Sequence, residues 1–100
     1  MAFAYYLHPE ARDEYAAAYA WYENQQHGLG EKFIAAVREK MDHISANPEL
    51  YGSKATDYKE TIVNSTFPYT IVYKIERRLK KIHVVAIYHH KRNVRRKYRK

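Results

Sequence analysis

Apolar positions in the first half of the chain recur every three or four residues. Ala11, Tyr15, Ala18, Tyr19 and Tyr22 form one such stripe, and Phe33, Ile34, Val37, Met41 and Ile44 form a second. His8-Pro9-Glu10 supplies a helix start: proline suits the first helical turn, and Glu10, Asp13 and Glu14 favour the positive end of the helix dipole. Ala16-Ala17-Ala18 adds high helix propensity. Gly28 and Gly30 end the first helix and open the second, and Asn47-Pro48 stops it. Residues 9–46 therefore predict a helical hairpin with a tight glycine hinge.

The second half changes period. Tyr58 to Ser65 is rich in Thr, Ile and Val. Tyr69 to Glu76 alternates, with Tyr69, Ile71, Tyr73 and Ile75 on one face and Thr70, Val72, Lys74 and Glu76 on the other. Arg77-Arg78-Leu79-Lys80 reads as a charged hairpin turn without the glycine that short turns prefer. Lys81 to His89 is the last strand, with Ile82, Val84, Ala86 and Tyr88 expected on one face and His83, Val85 and Ile87 on the other. Phe3 to Leu7 is expected as an edge strand. The fold class that follows is α+β: an N-terminal strand, a helical hairpin and a three-stranded antiparallel meander, with the helices on one face of a four-stranded antiparallel sheet.

One hundred residues, 46% of them hydrophobic, suffice for one folded domain and leave no room for a second core. The charge is uneven. The chain has 18 basic and 11 acidic side chains, yet Lys91 to Lys100 alone holds seven basic groups and no acid, so residues 1–90 balance. The domain is read as 1–90, with 91–100 its basic C-terminal tail. Such a tail points to a polyanionic partner, and the bland alternative is a solvated terminus.

Several chemistries have no support. The chain has no cysteine, so disulfides, thiolate catalysis and cysteine-based zinc sites are excluded. Its three glycines form no phosphate-binding loop, and no Ser-His-Asp arrangement has supporting context. His83, His89 and His90 are near in sequence, but adjacent strand residues point to opposite sides and no carboxylate cluster joins them. No metal and no cofactor are expected. No apolar run is long enough to span a bilayer, and Met1 to Leu7 lacks the basic start and long apolar stretch of a secretory signal, so a cytoplasmic location is expected.

The most specific stretches are Phe67-Pro68-Tyr69-Thr70-Ile71-Val72-Tyr73-Lys74-Ile75 and Val84-Val85-Ala86-Ile87-Tyr88-His89-His90-Lys91-Arg92. Together with Pro9-Glu10-Ala11, Gly28-Leu29-Gly30-Glu31-Lys32-Phe33 and Asn47-Pro48, they resemble the RelE/ParE superfamily of bacterial toxins. The resemblance spans nearly the whole chain, and its order of elements is the one read above from periodicity. It implies the toxin half of a type II toxin–antitoxin pair. Its partner would be a cognate antitoxin whose acidic or amphipathic segment folds on binding, giving a toxin–antitoxin hetero-oligomer.

The resemblance implies two mechanisms. RelE-like members cleave mRNA on the ribosome, whereas ParE-like members poison DNA gyrase without being enzymes. The ribonuclease branch uses lysines on the second strand, an arginine opening the third, and an arginine and a tyrosine after the last. Aligning that pattern on Tyr69-x-x-x-Tyr73 places the arginine position at Thr70 and the lysine positions at Thr61 and Val63, so those three cations are missing. Arg92 and Tyr98 match the C-terminal pair. RNA cleavage needs a base, an acid and cations around the transition state, and losing one such contact typically costs about two to three orders of magnitude in rate.

A metal-independent endoribonuclease would draw its catalytic residues from His89, His90, Arg92 and Tyr98, with Lys91 and Lys59 adding charge and Glu60 serving as a base. His89-x-x-Arg92 and the basic segment beyond it instead resemble the ParE-like branch, except that Asn93 stands where that branch often has an acid. Lys91, Arg92, Arg95, Arg96, Lys97 and Arg99 are the expected contacts to the target or its nucleic acid. The expectation leans to gyrase, with ribosome-dependent mRNA cleavage as the alternative. A degenerate, non-toxic antitoxin- or nucleic-acid-binding module is the third reading.

Overall fold

The structure is a computed structural model and describes residues 2–49 and 58–89. Strand β1 (Ala4–Leu7) leads directly into helix α1 (Pro9–Gln25), and helix α2 (Leu29–Ala46) follows. Strands β2 (Tyr58–Ile62), β3 (Tyr69–Glu76) and β4 (Lys81–His89) complete the fold.

The helix start at His8-Pro9 forms as the sequence implies. His8 Nδ1 accepts a hydrogen bond from the Glu10 amide at 3.1 Å, satisfying one of the donors that a helix N-terminus leaves open. Ala11, Ala18 and Tyr22 are buried on the inner face of α1, and Phe33, Val37, Met41 and Ile44 on that of α2. Gly28 makes the hinge at φ +89°, a left-handed conformation that L side chains rarely adopt. Gly30 permits the close approach of the two helices, because a Cβ there would lie 2.8 Å from Tyr19 Cε1. Glu23 then closes the turn: its carboxylate accepts from the amides of Gly28 and Gly30, both at 2.9 Å. These donors hold the Glu23 carboxyl below its ordinary range, the Gly28 amide being the largest cause.

The sheet runs β1-β4-β3-β2. β2, β3 and β4 are antiparallel neighbours, as the meander requires, but β1 pairs parallel to β4. The sheet is therefore mixed, which corrects the wholly antiparallel expectation. Periodicity identifies strands without naming their neighbours, and here the first strand lies beside the last. The intervening chain provides the long crossover that a parallel pair needs. β1 is the edge strand expected, starting at Ala4 rather than Phe3. β2 ends at Ile62, short of Ser65, because the chain bends at residues 65–67, where Asn64 Oδ1 accepts from the Phe67 amide at 2.7 Å.

A second correction concerns β4. Tyr73 opposes Val84 while Val72 opposes Ala86, so Val85 is an extra residue in a β-bulge. The bulge reverses the alternation. Ile82, Val84 and Ile87 face the helices in the main core, whereas Val85, Ala86 and Tyr88 join Val72 on the other face. Tyr69, Ile71 and Tyr73 of β3 share one face as expected, and it is the face toward the helices. At the hairpin turn, Lys80 takes φ +53° where glycine would be easier.

Candidate functional site

The helices cover one face of the sheet; the opposite face, open in that no described helix packs on it, holds the second buried cluster of Val72, Val85, Ala86 and Tyr88. Directly opposed residues on neighbouring strands share a face. Thr70 opposes Tyr88 on one side and Ile62 on the other, and Val72 likewise lies between Ala86 and Glu60. On the open face, then, the β2 neighbours of Thr70 and Val72 are Ile62 and Glu60. Thr61 opposes Ile71 and faces the helices, and Val63 is buried in the main core at 4% exposure. The two positions that the resemblance pointed to, Thr61 and Val63, therefore lie on the helix side of the sheet. Thr70 is itself 2% exposed. Among the described residues, the cross-strand neighbours of Thr70 and Val72 include no cation, and Glu60 would repel a phosphate.

Lys59 and Glu60 are separated by the pleat. Lys59 opposes Tyr73 on the helix side and lies 3.9 Å from the Glu49 carboxylate, which is also ion-paired with Arg77. The two suggested auxiliary groups therefore point to opposite faces.

His89 opposes Tyr69, with ring centroids 5.4 Å apart in an edge-on contact. Its partner belongs to the main core, so the His89 ring is on the helix side, away from Thr70. His83 is on the open face, where Nε2 lies 2.9 Å from Glu76 Oε1 and the ring centroid 6.2 Å from that of Tyr6. The two histidines do not converge. Among the described residues, no group of three His, Asp or Glu side chains is placed to hold a metal ion. His90, Lys91, Arg92, Arg95, Arg96, Lys97, Tyr98 and Arg99 lie outside the described residues.

β4 is held where it approaches that C-terminal segment. β1 reaches only to Leu7, opposite Val84, and the His8 amide donates to the Val84 carbonyl at 2.8 Å. Beyond this point the Ile87 amide donates to Glu14 Oε1 of α1 at 3.0 Å. A helix carboxylate thus satisfies a strand amide for which β1 provides no acceptor.

Residues 5–94 match the model of a family described as the ParE toxin of the type II toxin–antitoxin system parDE. The chain belongs to the ParE toxin family. Its fold is shared with solved toxins of the RelE/ParE superfamily. A chain of the intact E. coli RelBE toxin–antitoxin complex superposes with a TM-score of 0.69 at 15% identity, covering 91% of this chain and 100% of the other. The isolated E. coli RelE toxin gives 0.69 at 15% identity, with 92% and 88% covered. A chain of the chromosomal ParDE system from P. aeruginosa gives 0.60 at 14% identity, with 87% and 95% covered. No curated protein matches the sequence significantly. This member of the ParE toxin family has no described helix long and apolar enough to cross a membrane.

Proposed function

We propose that this toxin acts in the ParE manner, interfering with DNA gyrase and replication, and that a cognate antitoxin with an acidic or amphipathic segment neutralises it. The observation that carries this reading is the open-face composition of Glu60, Ile62 and Thr70. A phosphoryl-transfer transition state gathers negative charge, and cations aimed at it contribute much of the rate. An acid, an isoleucine and a buried threonine offer no such stabilisation. The family match over residues 5–94 supports the same branch. The RelBE and ParDE structures are toxin–antitoxin systems, which supports a protein partner of the same kind here.

A second reading retains some support. Arg92 and Tyr98 match the C-terminal pair of the ribonuclease branch, and the fold superposes well on E. coli RelE. Controlled expression in bacteria, with plasmid supercoiling and mRNA ends followed together, separates the readings. Growth arrest with altered supercoiling and intact message is expected. Growth arrest with mRNA cut at codon positions and normal supercoiling would overturn the gyrase proposal. Normal growth would favour the degenerate module.

A further inference from the structure

The open face has a second region, toward the β3–β4 turn. The pairing register sets Tyr6, His83, Lys74 and Tyr58 in one transverse row across all four strands, with Tyr6 opposite His83, His83 opposite Lys74, and Lys74 opposite Tyr58. At the usual strand spacing the row spans ~14 Å. A tyrosine stands at each end, and each has a lysine above its ring: Lys81 Nζ is 5.3 Å from the Tyr6 centroid and Lys74 Nζ 6.0 Å from that of Tyr58. Tyr6 is 49% exposed, unusual for a large aromatic. Arg78 and Lys80 are exposed in the adjoining turn. Glu76, 2.9 Å from His83, is the acid within the region, and Glu60 lies one row away.

We infer that the row Tyr6–His83–Lys74–Tyr58, with Lys81 and the turn cations Arg78 and Lys80, is a platform for single-stranded nucleic acid. A four-stranded sheet presenting aromatic rings beside cations suits a single strand: bases stack on the rings while the phosphates meet the lysines and arginines. An acidic peptide would meet the charge but has no need of two rings on one row. The inference stands whichever target the toxin has.

The test uses the full chain and a fluorescein-labelled single-stranded oligo(dT) or oligo(U) 15-mer, read by fluorescence anisotropy over a range of salt. Tyr6→Leu is expected to weaken binding about five-fold or more, because stacking is lost. Lys74→Gln with Lys81→Gln is expected to reduce the slope of log affinity against log salt by about 1.4, two phosphate contacts on a single strand. Both effects should persist when Arg95 and Arg96 are changed to Gln. A control pair, Arg12→Gln with Lys32→Gln, removes the same charge from the helices and should barely change the slope. An equal loss in that control, or unchanged binding in Tyr6→Leu, overturns the inference. If Tyr6→Leu does not fold, Tyr6→Trp replaces it: retained binding supports stacking, and loss overturns it. Binding of a labelled polyglutamate that depends on Lys74 and Lys81, with oligonucleotide binding unaffected, would assign the face to an acidic protein segment and also overturn the inference.

Discussion

Glu14 of α1 accepts a hydrogen bond from the backbone amide of Ile87, 73 residues later, at the point where β4 has passed the end of β1. The bond ties the first helix to the strand that leads into the basic C-terminal residues. A partly buried amide without an acceptor costs about 1–3 kcal/mol. Glu14→Ala should therefore lower unfolding stability by that amount in urea denaturation, whereas Glu14→Gln, which keeps an acceptor oxygen, should lose less than half as much. Equal losses would mean that the amide is satisfied some other way.

The helical hairpin carries a pH dependence through Glu23. The carboxyl is held below its ordinary value of 4.5, first by the Gly28 amide and then, against a smaller opposing effect of burial, by the Gly30 amide and His27. A group with a lowered folded-state pKa contributes its stability above the ordinary value and loses it as pH falls through the folded value. The stability gap between the parent and Glu23→Gln should thus be full above about pH 5 and close progressively below pH 4.5. Urea midpoints measured from pH 6 down to pH 2.5 check this, and a gap that does not change with pH would contradict it.

Gly30 sets the helix spacing. Replacing a helical glycine by alanine usually stabilises by up to about 1 kcal/mol. Here the added Cβ would meet Tyr19 Cε1 at 2.8 Å and Glu23 Oε1 at 2.9 Å. Overpacking of that kind costs about 1–3 kcal/mol, so Gly30→Ala should be destabilising in thermal or urea unfolding.

Tyr73 joins the sheet to the end of the hairpin. It is fully buried, and its hydroxyl donates to the Pro48 carbonyl at 3.0 Å. Tyr73→Phe retains the ring and removes the bond. The expected cost is about 1 kcal/mol, measured by chemical denaturation.

The helices, the glycine hinge and the β3–β4 hairpin were legible in the sequence because each follows a local rule: apolar period, helix start and stop, alternation. The parallel β1–β4 pair was not, because nothing in Ala4–Leu7 says which strand it joins. The reversed faces of Ala86 and Tyr88 follow from one extra residue, Val85, and a run of apolar side chains cannot announce a bulge. The same limit applies to the site. The chain shows Thr61, Val63 and Thr70 without a cation, but that Ile62 and Glu60 are the β2 neighbours of Thr70 and Val72 required the register. The row from Tyr6 to Tyr58 joins residues from four separate strands, so spacing along the chain gives no sign of it.

Among the described residues, Glu60 and Ile62 put no cation beside Thr70 and Val72, in a chain of the ParE toxin family. The most direct measurement adds the purified protein to DNA gyrase relaxing or supercoiling a plasmid, alongside translating ribosomes carrying a defined mRNA. The prediction is inhibition of supercoiling with the message intact. Undisturbed supercoiling together with cleavage of the ribosome-bound mRNA would contradict it.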